Sequence, residues 1–152
     1  MSGGVRYQIY ESTDGHVLFM ASEQAFWKNF CEGVGRADLF EAHPGSKYAD
    51  HARGNKELRR ELRTIFATRS TQEWITFGIE VNTPIAPVNT TKSIADDPQF
   101  LDRLEWIPRE QVGCEQLPFP VKFAGSVELP VPTMAPTLGQ HTEEILAELG
   151  DH

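Results

Sequence analysis

No stretch of this 152-residue chain is apolar for long enough to cross a membrane, and no basic-then-apolar signal region opens it. Cysteine is scarce. Cys31 and Cys114 form neither a disulfide framework nor a ligand pair, so a reducing cytoplasm is the expected location. Positive charge is also scarce: 14 Lys and Arg stand against 22 Asp and Glu, a net charge of −8. Such a chain is poorly suited to nucleic acid or an anionic membrane, and to holding a polyanionic ligand by itself. His16, His43, His51 and His152 lack metal-ligand spacing, so no metal is expected. Nucleophile elbow, P-loop and zinc signatures are missing, as are internal repeats. Asn89-Thr90-Thr91 is a glycosylation sequon that means little without a secretory signal.

What is present suits a globular domain. Hydrophobic residues make up 39% and charged residues 24%, enough for one real core. Val5 to Tyr10 alternates apolar with polar, with Val5, Tyr7 and Ile9 on one side, and reads as a strand. Asp14-Gly15 signals a tight turn, and Val17 to Met20 is the returning strand. Ser22 is the expected cap of a helix reaching Val34, closed by Gly35, with Phe26, Trp27, Phe30, Cys31 and Val34 on its apolar face. Phe40 to Ala52 reads as loop, punctuated by Pro44 and Gly45.

Asn55 caps the next expected helix, about Lys56 to Thr68, with Leu58, Leu62, Ile65 and Phe66 as its buried stripe. Ser70-Thr71-Gln72-Glu73 is a capping box opening a third helix to about Val81. Asn82 is able to take the left-handed conformation in the turn after that helix. Thr91 to Asp96 reads as a short helix that stops before Pro98. Short strands are expected near Leu104 to Ile107 and Val112 to Leu117. The expected fold is therefore α/β (α+β): a small antiparallel sheet opened by a hairpin, flanked by about three helices.

The end of the chain differs in kind. Pro130, Pro132 and Pro136 make a stiff, extended arm. A short helix comes after it, from about Gln140 to Leu149, with Glu143 and Glu144 in its first turns and Gly150 as its stop. Ile145, Leu146 and Leu149 form one apolar stripe. A helix this short is marginal alone and must dock on something. The expected division is residues 1–125 as a small domain and 126–152 as arm and tail helix.

The run from Ala135 to Gly150, Ala-Pro-Thr-Leu-Gly-Gln-His-Thr-Glu-Glu-Ile-Leu-Ala-Glu-Leu-Gly, closely resembles the C-terminal signature of the class III CoA-transferase family. Tyr7-x-x-Tyr10-x-x-x-Asp14-Gly15 looks like the opening of that family's small domain. Phe26-Trp27, Cys31 and Gly35-Arg36-x-Asp38-Leu39 look like its first helix and turn. Arg69-Ser70-Thr71-x-Glu73-Trp74, Pro84-Ile85-Ala86-Pro87-Val88, Asp97-Pro98-Gln99 and Pro120-Val121-Lys122-Phe123-Ala124-Gly125 continue the likeness. His43-Pro44-Gly45 departs from it, as does Asn82-Thr83 where the family has glycine. Gly33-Val34-Gly35 closes a helix instead of coming after a strand, so it is no dinucleotide fingerprint.

The resemblance implies a small domain that covers the active site of a larger CoA-binding domain, in chains that interlock as a dimer. The implied reaction moves CoA between a carboxylic acid and an acyl-CoA, with racemisation α to a thioester as the alternative within the family. A non-catalytic protein-interaction module is the alternative from another class. The nucleophilic aspartate of the transferases lies in a part with no counterpart here, so no catalytic residue is carried over from it. The implied partner is a CoA-binding large domain or a second chain of the family. A CoA thioester is the substrate of the assembled enzyme, no cofactor is bound by this chain alone, and no cofactor-binding residue is assigned.

In the racemase branch a glutamate precedes the aromatic pair of the first helix and approaches the active site; Glu23 stands at that position. The plainer account is a surface glutamate stabilised by the helix dipole. His141, with Thr142, is expected to orient the tail against its partner, and Ile145, Leu146 and Leu149 to dock there. As a general base, His141 needs a group within hydrogen-bond reach.

Overall fold

The computed structural model describes residues 4–46, 48–119, 124 and 132–150. It divides into two compact units, Met1–Thr90 and Thr91–His152. The expected boundary between Gly125 and Ser126 lies outside the described residues, as do Pro130 and all but Ala124 of the Pro120 to Gly125 motif.

The first unit holds a three-stranded antiparallel sheet in the order β1-β2-β3: β1 (Tyr7–Glu11), β2 (His16–Met20) and β3 (Ile85–Pro87). Helices α1 (Gln24–Gly33), α2 (Ala37–Ala42), α3 (Lys56–Phe66) and α4 (Thr71–Glu80) complete it. The hairpin forms where expected and Val5 is buried, but within β1 the inward side is the other one. Gln8 lies opposite Phe19 and Tyr10 opposite Val17. Val17 and Phe19 are fully buried and Tyr10 nearly so, while Tyr7 and Ile9 are half exposed. Directly opposed residues share a face, so burying the two apolar residues of β2 turns Tyr7 and Ile9 outward. β3 has no strand signature in the sequence because two prolines bracket it. At the edge of a sheet Pro87 forfeits no ladder bond, and Met20 N–H donates to Pro84 O at 3.1 Å.

Seven aromatic side chains fill the space between sheet and helices. Phe66 of α3 is central: its ring lies 4.8 Å from Tyr10, 5.1 Å from Phe19, 5.4 Å from Phe30 and 4.8 Å from Trp74. Trp27 and Phe77 extend the cluster from α1 and α4. Such pairs add ~0.5–1.5 kcal/mol each beyond area burial. Their polar atoms are satisfied: Tyr10 OH donates to Val5 O at 2.7 Å and Trp74 Nε1 to Phe66 O at 2.8 Å. Burial pushes the Tyr10 hydroxyl well above its usual range and the Cys31 thiol up to about 12.

The caps agree with the sequence at α3 and α4. Asn55 accepts from Leu58 N–H at 3.0 Å, and Ser70 and Glu73 form the reciprocal box. The hairpin turn adds a tertiary cap, since Asp14 Oδ1 accepts from Thr71 N–H, the first residue of α4, at 2.7 Å. These hydrogen bonds hold the Asp14 carboxyl below its usual range. Asn82 takes φ 53°, as the turn after α4 requires. Gly78 admits a close backbone approach: a Cβ there would lie 2.7 Å from Thr83 O.

Two stretches differ from expectation. α2 starts before the loop expected from Phe40 and runs into its first residues, with Leu39 burying its side chain against the core while Arg36 brackets the turn through Asp38 and Glu61. In the second unit the expected strands reduce to one bridge, Ile107 with Gln116. A 3₁₀ turn at Ser93–Asp96 leads instead to α5 (Pro98–Arg103), and then to α6 (Arg109–Val112). Pro98 starts a helix as well as stopping one: Asp97 Oδ1 accepts from Gln99 N–H at 2.9 Å and Phe100 N–H at 3.2 Å, with proline at the first helical position. Helix α7 (Thr142–Gly150) ends the described chain.

Substituting Phe30→Ala should lower unfolding free energy by ~3–5 kcal/mol, because its cavity opens among five other rings. Ser70→Ala should cost only ~1 kcal/mol. Urea unfolding monitored by circular dichroism checks both; equal losses would show that the cluster is not the stabilising centre.

Candidate functional site

The edge of the first unit that carries Glu23 is built from α1 and the loop 43–51. Ser22 does not cap α1, contrary to expectation. Its hydroxyl is buried and lies 2.6 Å from His51 Nδ1, while its carbonyl accepts from Asp50 N–H at 2.8 Å. Glu23 becomes the N-cap residue, with φ −77° and ψ 138°, and its side chain makes no capping bond. It is exposed and forms no ion pair among the described residues. Lys28, the nearest cation along α1, pairs with Glu32 at 3.7 Å instead. The N-terminal turn of α1 thus presents a carboxylate with no cationic partner among the described residues, where the helix dipole favours negative charge.

Arg6 holds the loop beside this carboxylate, and no sequence pattern singles it out. The residue is 1% exposed, and the guanidinium lies 4.8 Å above the Trp27 ring. It donates to His43 O and pairs with Asp50 at 3.5 Å. Trp27 Nε1 donates to the same carbonyl at 2.7 Å, and Gln24 Nε2 to Pro44 O at 3.2 Å. Desolvation lowers the Arg6 pKa, against the opposing pull of Asp50. Arg6 Nη1 also occupies the space a Cβ at Gly45 would need, at φ +76°. His43 and His51 therefore serve this loop. Among the described residues no three His, Cys, Asp or Glu side chains converge as a metal site. The only sequence signal for Arg6 is a cation set beside an alternating strand, which periodicity treats as solvent-facing.

In the second unit, the turn before α7 is tied locally. Thr137 N–H donates to Gln140 Oε1 at 2.9 Å, and Gly139 adopts φ +81°. His141 Nδ1 lies 3.0 Å from Glu144 Oε2, an exposed pair three residues apart, so the group within reach of this imidazole is a carboxylate of the helix it precedes. Thr142 is exposed at the first position of α7. Ile145, Leu146 and Leu149 are exposed at 54%, 62% and 68%. Glu23 falls in one unit and the tail residues in the other. No helix among the described residues is long and apolar enough to cross a membrane.

A family model, CoA-transferase family III, matches residues 2–142. Succinyl-CoA:mesaconate CoA-transferase of Haloarcula hispanica is 33% identical over 152 residues, covering 95% of this chain and 36% of that protein. Succinyl-CoA:glutarate CoA-transferase of Homo sapiens is 29% identical over 150 residues, covering 95% and 34%. Among solved structures, a CAIB/BAIF family protein of Brucella suis superposes with a TM-score of 0.69 at 20% identity, over 98% of this chain and 39% of that one. Rv3272 of Mycobacterium tuberculosis gives 0.65 at 25% identity, over 89% and 38%. The chain thus spans about a third of the length of the curated relatives it matches. With a family model covering nearly all of its length, the chain belongs to CoA-transferase family III.

Proposed function

We propose that this chain is the small-domain part of a CoA-transferase, active only when assembled with a CoA-binding large domain or a second chain of the family. The reaction is an exchange. The donor's acyl–sulfur bond breaks, one oxygen of the acceptor carboxylate passes to the donor acyl group, which departs as its carboxylate, and the CoA thiolate forms the new thioester on the acceptor's acyl carbon. The observation that carries the assembly reading is the exposed apolar stripe of α7, at 54%, 62% and 68%. Apolar faces of this kind mark interaction sites. On this reading Ile145, Leu146 and Leu149 dock on the partner, while His141 and Thr142 set the angle at which α7 enters.

A second reading rests on Glu23. An exposed carboxylate without an ion-pair partner among the described residues is available to take and return a proton at the carbon α to a thioester. That would make this the small domain of a racemase. Both readings place the larger share of the machinery outside this chain.

Three outcomes are expected. The pure chain alone should turn over no acyl-CoA, and a large-domain polypeptide from a relative should restore transfer of CoA to mesaconate or glutarate, read by chromatography of the thioesters. Turnover by the chain alone overturns the proposal, and binding without turnover identifies an interaction module instead.

Replacing Ile145 and Leu149 by Asp should abolish partner binding by calorimetry. The effect on the chain's own stability should stay within about 0.5 kcal/mol, as for exposed positions generally. Unfolding of the isolated chain by this change would place the stripe in its own core.

In the assembled enzyme, Glu23→Gln separates the two chemistries. A racemase should lose solvent-deuterium incorporation at the α carbon by ~10²–10⁴-fold, whereas a transferase should keep CoA exchange near the unsubstituted rate.

A further inference from the structure

Acid and base are unevenly distributed along this chain. Residues 1–90 carry ten Lys and Arg against eleven Asp and Glu, and residues 91–152 carry four against eleven. Six of the fourteen cations, Arg53, Lys56, Arg59, Arg60, Arg63 and Arg69, fall within one short stretch around α3. Lys56, Arg60 and Arg63 recur at helical spacing, so they line one side of α3 over about 10 Å. All three are exposed, and none forms an ion pair among the described residues. Glu61, the acid between Arg60 and Arg63, is drawn to Arg36 at 2.9 Å. Arg59 points back to the start of β1, donating to Gly4 O at 3.2 Å.

These cations border two adjoining concavities. One, of about 400 Å³, is lined by Lys56, Arg59, Arg60 and Arg63. The other, of about 540 Å³, is lined by Arg63 and Ala67 on one side and by Ile9, Glu11 and His16 of the hairpin on the other. The second is the groove between α3 and β1, and Arg63 lines both, so the cation row of α3 reaches the rim of that groove.

β1 is an edge strand. Ala21 N–H donates to Arg6 O at 2.8 Å, and Ser12 N–H to Gly15 O at 3.0 Å. The even-numbered residues of β1 are therefore those bonded to β2. By antiparallel alternation, Ile9 and Glu11 direct their N–H and C=O to the free side. The Ile9 carbonyl meets the neighbouring Gln8 amide at a long 3.4 Å. A free edge of this kind is a template for another strand.

We propose that the groove between the edge of β1 and the cation row of α3 is a docking site for an extended acidic segment of a partner protein. The segment would add as a strand along β1 and set its carboxylates against Lys56, Arg60 and Arg63. Charge complementarity selects an acidic occupant. The outward backbone groups of Ile9 and Glu11, about 6.7 Å apart, select a polypeptide over a small anion, because they repeat at strand spacing. Glu11 faces the same groove and favours a register that keeps the occupant's acids toward α3. This inference does not depend on the CoA-transferase chemistry.

The test uses the full chain with a short capped peptide of alternating Glu and Val. The same peptide with Lys for Glu, tripolyphosphate and free CoA serve as comparisons. The acidic peptide should bind at low salt, weaken as salt rises, and slow hydrogen exchange at the Ile9 and Glu11 amides. Arg60→Glu with Arg63→Glu should cut affinity on the order of tenfold or more while the melting curve stays in place. If that pair melts early, Arg63→Gln should still reduce affinity. Ile9→Pro should remove binding with the cations intact. Absence of binding overturns the proposal, as does binding that leaves Ile9 and Glu11 exchange unchanged. Displacement of the peptide by tripolyphosphate or CoA at comparable concentration also overturns it, identifying a small-anion site.

Discussion

The first unit depends on the packing of aromatic rings around Phe66. Tyr10 and Phe19 from the hairpin, Phe30 from α1 and Trp74 from α4 all lie against it. One side chain of α3 thus joins the sheet to both other long helices. The hairpin and the helices are each too small to stand alone, and this cluster makes them mutually dependent. It also decides which side of the hairpin faces inward. Tyr10 can stack on Phe66 at 4.8 Å only if Tyr7 and Ile9 turn out. The outward edge of β1 and the groove beside it result from that choice.

Because this core closes on itself, the loop beside Glu23 is held by other means. Arg6 enters from the strand side, lies on Trp27 and reaches the His43 carbonyl and Asp50. A guanidinium suits this position better than an ammonium, since its planar face stacks while its N–H groups donate in the plane. Burial penalises the charge, and the ring and Asp50 offset part of that penalty. The outcome is a fixed turn next to a carboxylate that forms no ion pair among the described residues. The tail differs: the charged residues of α7 are all acidic, and its apolar residues remain exposed. Both features suit a chain that spans about a third of its relatives' length.

Local signals are legible wherever the physics is local. Asn55 and the Ser70–Glu73 box cap as their spacing demands, and Asn82 takes the left-handed turn. The apolar stripes of α1 and α3 face the core as periodicity requires, with Phe26, Val34 and Ile65 partly buried at their margins. Signals fail where one residue type supports two outcomes. Ser22 looks like a cap, but its hydroxyl is engaged by His51, which lies 29 positions away. Pro98 reads as a stop and is also a start, because Asp97 caps the helix that Pro98 opens. Of the candidate site, Glu23 and the α7 stripe are visible in the sequence, whereas Arg6 is not.

The amino-acid order alone determined the family resemblance, the hairpin, the three long helices and the amphipathic tail. Each of these rests on contacts within about one turn or on a repeating period. Tertiary structure decided the inward face of β1, the addition of β3, the cap from Asp14 to α4 and the burial of Arg6. In each case the deciding partner lies far along the chain: Phe66 for Tyr10, His16 for Val88, Thr71 for Asp14 and Trp27 for Arg6. Short-range propensity carries no information about such partners, because the free energy that selects them appears only once both surfaces have left water together.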